Sequence, residues 1–392
     1  MYGLPVRRPQ LGDLTGAFGD LGTLLPLAAG LVIVSGVDAR GFFVTFGIAT
    51  ILAGFAFRLP MPVQPQKAVA AAAIAEGWPA AQVYGAALGM GVLWLVIAAT
   101  PLLPWMRRAI PAFIARGVQL GLAFTLGGQA VLLLARSVPL AIVGLILLAV
   151  TLRYRLLGIA LTIGAAIAIM PRETLSLAFA PALPTLGLPD PSETFIGMLR
   201  GGLTQMPLTL TNAIIATVVL SARYFPDHPI TERRLAISTG LMGLGGALFS
   251  GGPFCHGAGG LAAQHFYGAR TVWKNLIEGG LALVLGLGFG PGLSSLLAAF
   301  PMPLLGSLLL LVALELLSSA QGLYGWQGWI ATGMALVAVT TNIGVAFVGG
   351  FALATAVRGS VHRGWLPKLK GKTPAEYLAR IPQTIFGPTQ SA

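Results

Sequence analysis

The sequence predicts an all-α polytopic membrane protein with 14 transmembrane elements, arranged as two inverted repeats of seven. The first observation is composition: 56% of the residues are hydrophobic and 9% are charged, whereas an average soluble domain has roughly 25% charged residues. The second is that apolar runs such as 83–103 reach the ~20 residues that a helix needs to cross a bilayer. The third is that two motifs of the first half recur at nearly the same offset in the second half.

The predicted spans follow the hydropathy of the chain. In the first repeat, residues 12–171, they are 12–36, 41–57, 62–76, 80–100, 112–135, 138–152 and 156–171. In the second repeat, residues 202–358, they are 205–222, 234–250, 254–267, 272–297, 303–320, 327–340 and 343–358. The proline-rich stretch 172–201 is predicted to be an extracellular connection, and 359–392 a basic cytoplasmic tail.

Element 3 of this series is predicted to be part extended and part half helix. Pro60, Pro62 and Pro65 fix φ and remove three backbone donors, so a helix cannot run through them. Gln66, Lys67 and the alanines that follow favour helix. Irregular backbone at membrane depth is tolerated only where protein or a cavity surrounds it, so this segment is a candidate binding site.

Element 10, GGPFCHGAGGLAA at 251–263, is the counterpart in the second half and is also predicted to be part extended, part half helix. Because each half has an odd number of elements, the two halves cross the membrane in opposite orientations. Both half helices then direct their N-termini at the midplane from opposite sides. A helix N-terminus offers unpaired N–H groups and about half a positive charge, so the pair predicts an anion site.

The formal net charge of +12 could suggest nucleic-acid binding, but the basic residues lie mainly in the predicted loops. Most of them fall on one side of the predicted topology, in agreement with the positive-inside rule. We therefore predict a multi-pass protein of the cell membrane, embedded in the lipid bilayer, with both termini cytoplasmic and no nucleic-acid partner. The N-terminal residues lack the pattern of a removable signal peptide, so none is expected.

Lys67 falls in predicted element 3, where a charge at membrane depth is costly unless it is paired or hydrated. We interpret it as a substrate ligand. The alternative is that it extends to the membrane interface or pairs with Asp20 for structural reasons. Glu278 and Glu315, the other acids in predicted spans, are expected to pair with arginine or to meet solvent at a helix end.

Three motifs, PMPVQPQKAVAA, FGDLGTLLPL and GPFCHGAGGLAAQHFYGART, resemble those of the molybdate transporter family, which is related to the SulP sulfate permeases and more distantly to uracil and xanthine permeases. The resemblance implies a core domain of elements 1–4 and 8–11, a gate domain of elements 5–7 and 12–14, and high-affinity uptake of molybdate and related oxyanions. Relatives of this fold are commonly dimers. The family usually has methionine where this chain has Gln66. Typical SulP proteins carry a cytoplasmic regulatory domain after the last span, and none is expected here.

A tetrahedral oxyanion presents only hydrogen-bond acceptors, so its site needs donors and little negative charge. The expected ligands come from elements 3, 8 and 10: Gln64, Gln66, Lys67, Gln205, Thr211, Asn212, Cys255, His256, Gly257, Ala258 and Gly259. Asp20 and Thr23 are expected to serve in coupling or support. The glycines could instead serve helix packing, and threonine hydroxyls could bond their own helix backbone. No cofactor or metal site is expected.

The function predicted on these grounds is secondary-active import of molybdate by alternating access, coupled to protons or sodium or driven by exchange. The alternative within transport is a permease or exchanger for sulfate or another oxyanion. A channel or an intramembrane enzyme would belong to other classes. The adjacent Cys255 and His256 do not face each other on a helix, and the four histidines are scattered, so we predict that the protein is not an enzyme.

Overall fold

The computed structural model describes residues 8–175 and 179–362, and these are mostly helical. Within the described chain, seven helices are long and apolar enough to cross a membrane: Leu11–Ser35, Ala39–Phe57, Ala80–Ala99, Ala112–Leu134, Pro191–Tyr224, Trp273–Ala298 and Met302–Ser319. The predicted all-α membrane fold is confirmed. Residues 363–392 of the predicted basic tail lie outside the described residues.

The helices of the first half are α1 (Leu11–Ala17), α2 (Leu21–Ser35), α3 (Ala39–Phe57), α4 (Lys67–Glu76), α5 (Ala80–Ala99), α6 (Leu102–Ala109), α7 (Ala112–Leu134), α8 (Val138–Arg153) and α9 (Arg155–Ile169). Those of the second half are α10 (Pro191–Gly197), α11 (Leu203–Leu208), α12 (Thr217–Tyr224), α13 (Glu232–Leu248), α14 (Ala258–Phe266), α15 (Trp273–Ala298), α16 (Met302–Ser319), α17 (Gly325–Thr340) and α18 (Ile343–His362). The inverted symmetry between the halves stays a prediction.

Elements 3 and 10 are part extended and part helical, as predicted. Strand β1 (Gln64–Pro65) precedes α4, and strand β2 (Phe254–Cys255) precedes α14. The two strands pair antiparallel, with Gln64 opposite Cys255. A prolyl residue supplies no N–H, which keeps this pair short and the segment before α4 extended.

The first span, predicted as one helix over 12–36, is interrupted between α1 and α2 at Phe18–Asp20. Gly19 lies at this interruption because α14 packs directly against it. A methyl group built on Gly19 would lie 3.0 Å from the Cα atom of Gln264. The break therefore sets the start of α2, with Asp20 at its N-cap position, beside the first turns of α14.

The helix predicted at 205–222 begins earlier, at Pro191, inside the stretch predicted to be a connection. Local capping explains this start, since the Asp190 side chain accepts a hydrogen bond of 2.9 Å from the Ser192 amide. The helical path then continues to Tyr224 through two π-helical segments, Met198–Gly202 and Thr209–Ala216. Pro207 lies between these segments and cannot donate an N–H, and such π-helical turns are frequent at functional sites.

Close packing of α3 against α15 fixes the extended segment that leads to β1. Gly47 and Gly279 approach so closely that a methyl group built on Gly47 would lie 2.7 Å from the Gly279 carbonyl oxygen. On the same face of α15, the Asn275 carboxamide donates to the carbonyl of Thr50 at 2.9 Å and to that of Met61 at 2.7 Å. The backbone ahead of β1 is therefore held by a buried side chain rather than by a regular sheet.

Candidate anion-binding site

The candidate site is built around the pair β1–β2 and the two helices that follow it. Because the strands are antiparallel, the chain leaves them in opposite directions, so α4 and α14 begin on either side of the pair. The Gln66 amide donates to the Pro253 carbonyl at 2.9 Å, which extends the pairing to the edge of α4. The first turns of both helices are thereby brought to one region of the molecule.

The first turn of α4 has two backbone amides without an acceptor. Among the described residues, no oxygen accepts from the N–H groups of Lys67 and Val69. The Ala68 amide, in contrast, donates to the side-chain oxygen of Gln205 at 2.7 Å. Unpaired N–H groups at a helix start are available to an anion, so α4 offers a partial set of donors.

The first turn of α14 likewise has backbone amides without an acceptor. Within the described part of the chain, no acceptor is bound to the amides of Ala258, Gly259 and Gly260. A methyl group built on Gly259 would meet no atom within 4 Å, so free space lies next to its backbone. Ala258 and Gly259 are half-buried, unlike the residues of β2. This space is where a ligand could reach the α14 amides.

Lys67 is the first residue of α4 and is half-buried. Across the described residues, no carboxylate lies within ion-pair distance of its ammonium group. The direct pair with Asp20, which we considered as an alternative, is therefore not formed, although Lys67 acts electrostatically on both Asp20 and Cys255. An ammonium group without a bound carboxylate at a helix start is suited to an anion.

Asp20 is buried and accepts a hydrogen bond from the Gln64 carboxamide. The Gln64 side chain extends from β1 to the start of α14. Methyl groups built on Gly257 and Gly260 would lie 2.5 Å from its Oε1 and 2.6 Å from its Nε2. Gln64 therefore joins the N-cap residue of α2 to the first turn of α14, with one amide hydrogen committed to the carboxylate.

Gln66 and Cys255 face the protein interior. Gln66 is completely buried and donates from Nε2 to the Phe254 carbonyl at 3.2 Å, while its Oε1 has no partner among the described residues. Cys255 is buried opposite Gln64 in the strand pair. The Gln66 side chain therefore supports the pairing of β1 with β2, and Cys255 takes part in that pairing through its backbone.

His256 is also buried, and both of its ring nitrogens contact protein atoms. Nδ1 lies 2.8 Å from the Pro62 carbonyl oxygen, and Nε2 lies 2.9 Å from the Ser238 hydroxyl. The ring packs edge-on against Phe57. Protein atoms occupy both ring nitrogens, so His256 connects the extended segment before β1 to α13 instead of offering a donor to an anion.

The residues predicted from element 8 take three different positions. Thr211 donates its hydroxyl hydrogen to the Pro207 carbonyl at 2.7 Å, which is the backbone contact we considered as the alternative. Gln205 Nε2 donates to the Thr209 hydroxyl at 3.0 Å, so Gln205 binds protein at both ends of its carboxamide. Asn212 is half-buried, and its Nδ2 would lie 3.7 Å from a methyl group built on Gly257. Of these side chains, Asn212 keeps donors beside the site.

A charged pair lies near the site: the expected pairing of Glu315 with an arginine is confirmed, whereas the sequence placed that arginine, Arg155, in a loop. Arg155 and Glu315 form an ion pair between α9 and α16. Glu315 also accepts a hydrogen bond of 3.0 Å from Thr23, and the Arg155 guanidinium would lie 2.9 Å from a methyl group built on Gly22. The sequence places Arg155 among loop arginines, and only the tertiary contact reveals that it reaches the start of α2.

Comparison with known proteins identifies the class. The chain resembles two solved structures in fold, the transmembrane domain of a cyanobacterium bicarbonate transporter BicA (TM-score 0.59, 16% identity, 86% of this chain and 97% of that chain) and the murine Solute Carrier 26 family member A9 anion transporter in the inward-facing state (TM-score 0.65, 13% identity, 91% and 70%). These likenesses show the fold, and the family match reported next defines the class, a multi-pass membrane anion transporter and not an enzyme.

The particular family follows from sequence. The model of the "Molybdate transporter of MFS superfamily" matches residues 12–126 and 197–316. Molybdate transporter 2 of Arabidopsis thaliana is 30% identical, over 80% of this chain and 79% of its own. Molybdate transporter 1 of the same plant is 28% identical, over 88% of each chain. The chain belongs to the molybdate transporter family, as its motifs predicted.

Proposed function

We propose that the protein is a secondary-active importer of molybdate that works by alternating access. The observation that carries the proposal is the pair of half-helix starts at β1–β2, which offer unpaired amides from α4 and α14 beside Lys67. A tetrahedral dianion accepts hydrogen bonds from several directions and needs positive potential. The two helix starts and the ammonium group supply both. Two plant relatives are molybdate transporters, which supports molybdate as the anion.

We propose two roles for the predicted site residues. Direct donors are Lys67, Asn212 and the backbone around Gly257, Ala258 and Gly259, because these have open donors or adjoin open space. Positioning residues are those whose polar side-chain atoms bind protein, namely Gln64, Gln66, Gln205, Thr211 and His256. Cys255 joins them as the buried residue that pairs with Gln64 across the two strands. Asp20 and Thr23 support the start of α2 and are candidates for ion coupling.

The domain organisation proposed from the sequence assigns elements 1–4 and 8–11 to a core domain and elements 5–7 and 12–14 to a gate domain. On this division, the hydrogen bond from Thr23 to Glu315 crosses the domain boundary. The Arg155–Glu315 ion pair lies within the gate domain and faces Gly22 of the core domain. Alternating access would move these contacts, with both termini on the cytoplasmic side of the cell membrane.

Purified protein reconstituted in liposomes tests the proposal through uptake of radiolabelled molybdate. We expect saturable uptake that tungstate inhibits far better than sulfate does. Equal inhibition by sulfate would indicate a general oxyanion permease, and flux that stays linear with concentration would indicate a channel. Imposed proton and sodium gradients identify the coupling ion, and liposomes without protein provide the background.

A further inference from the structure

An apolar groove lies between α3 and α13, away from the anion site. Its volume is about 360 Å³, within the range of small-molecule sites. Exposed apolar side chains, including Ile48, Leu52 and Leu241, line its opening, so it faces the surroundings of the helix bundle rather than its interior. In a membrane protein these surroundings are the hydrocarbon tails of lipids.

The groove has one charged end. Arg234 lines it there, is exposed, and lies with its guanidinium carbon 5.3 Å from the centre of the Phe57 ring. Its Nη2 donates to the Ala56 carbonyl. Across the described residues, no carboxylate pairs with Arg234. A guanidinium has five N–H donors, so the end of the groove holds a positive charge with donors to spare.

The dimensions of the groove match one acyl chain. From Thr45 to Phe57, the α3 residues that line it extend about 18 Å along the helix axis. The hydrocarbon of one leaflet is about 15 Å deep, half of a bilayer core. A phospholipid with a chain in the groove would bring its phosphate to the level of Arg234, at the end of α3.

We propose that this groove is a binding site for an anionic phospholipid, whose acyl chain lies between α3 and α13 and whose headgroup binds Arg234. Bulk lipid tails are as apolar as the groove, so the chain alone gives little preference. The preference for anionic lipid comes from the charge, which near a membrane surface corresponds to about a fivefold enrichment for one arginine.

The groove is connected to the neighbourhood of the anion site through the two ring nitrogens of His256. Ser238 lines the groove and contacts His256 Nε2 at 2.9 Å, while His256 Nδ1 contacts the Pro62 carbonyl at 2.8 Å. The wall of the groove is therefore linked, through His256, to the extended segment before β1. The lipid site does not depend on which anion is transported, since lipid retention is measured in the absence of any oxyanion.

Native mass spectrometry tests the proposal on the full chain, equilibrated with equal amounts of phosphatidylglycerol and phosphatidylcholine. We expect wild-type protein to retain phosphatidylglycerol about fivefold over phosphatidylcholine. Arg234→Gln should abolish this preference. Arg223→Gln, which changes an exposed arginine that does not line the groove, should leave it unchanged.

A second variant tests the chain-binding part of the site. Gly245 lines the groove, and a methyl group built on it would have only Thr45 Cγ2 nearby, at 3.9 Å. Gly245→Leu should therefore fold and reduce retention of both lipids by filling the groove. Equal retention of the two lipids by wild-type protein, or an unchanged preference in Arg234→Gln, would overturn the proposal. Loss of a dimer in Gly245→Leu without loss of lipid would do the same, by identifying a subunit interface.

Discussion

The side-chain oxygen of Gln205 accepts a hydrogen bond of 2.7 Å from the Ala68 amide, in the first turn of α4. This contact uses one of the donors that a bare helix start would offer to an anion, while the amides of Lys67 and Val69 stay open. Gln205 is thus a cap for α4. It orients the remaining donors without being a ligand itself.

Two substitutions of Gln205 should separate capping from ligand binding. Gln205→Ala should lower the free energy of unfolding by about 1 kcal/mol, as the loss of a helix cap does, with a small effect on molybdate affinity. Gln205→Glu keeps an acceptor but adds a negative charge beside the site, so it should weaken binding at least tenfold, about 1.4 kcal/mol. Thermal unfolding and calorimetric titration measure the two effects. Equal affinity in Gln205→Glu and wild type would show that the ligand binds elsewhere.

Lys67→Met should weaken molybdate binding by at least tenfold, about 1.4 kcal/mol, because it removes the ammonium group at the start of α4. The protein should remain folded, since no carboxylate among the described residues pairs with Lys67. Arg153→Gln, a change of an exposed cation at the end of α8, is the matched control. Unchanged affinity of Lys67→Met in a calorimetric titration would contradict the role of this residue.

Gly259→Ala tests whether the ligand occupies the open space beside the first turn of α14. The added methyl group meets no protein atom within 4 Å, so stability should be kept or raised, since alanine favours helix by up to about 1 kcal/mol. Molybdate affinity should fall because the methyl group occupies the space next to the α14 amides. Gly280→Ala, where the space is equally open but lies on α15, should leave affinity unchanged. If both variants bind like wild type, the ligand does not use the α14 amides.

Asp20 should make binding depend on pH. Its ionised carboxylate repels a dianion, so wild-type affinity should rise as the pH falls and Asp20 takes up a proton. Asp20→Asn should bind with the higher affinity at every pH, as measured by calorimetric titration over a pH series. Lys67, Arg155, Glu278 and Glu315 act electrostatically on Asp20 and shift where this change occurs. If Asp20→Asn keeps the full pH dependence of the wild type, the titrating group is Glu278 or Glu315 instead.

The contact between Thr23 and Glu315 offers a test of alternating access. Because the two side chains lie 3.0 Å apart across the proposed domain boundary, joining them should prevent the domains from separating. Thr23→Cys with Glu315→Cys, in a Cys255→Ala background, should lose transport when treated with a short thiol crosslinker. Each single cysteine variant under the same treatment is the control. Full transport by crosslinked protein would place the moving boundary elsewhere.

The sequence by itself determined the membrane fold, the two broken elements and the family. These follow from local physics: apolar runs of bilayer length, prolines that deny a helix its donors, and glycines that leave backbone accessible. Lys67 could be singled out for the same reason, since a cation within an apolar segment is conspicuous without any knowledge of its neighbours.

Only the tertiary structure decided which donors remain open. His256, Gln66 and Gln205 are polar residues in the right motifs, yet their side chains bind Ser238, Phe254 and Ala68, which are distant in sequence. Conversely, Arg155 reaches the start of α2 only because α9 packs there. The direction of a side chain depends on packing across the β1–β2 pair and between distant helices. The spacing of residues along the sequence does not indicate those contacts, because they join segments that are far apart in the chain.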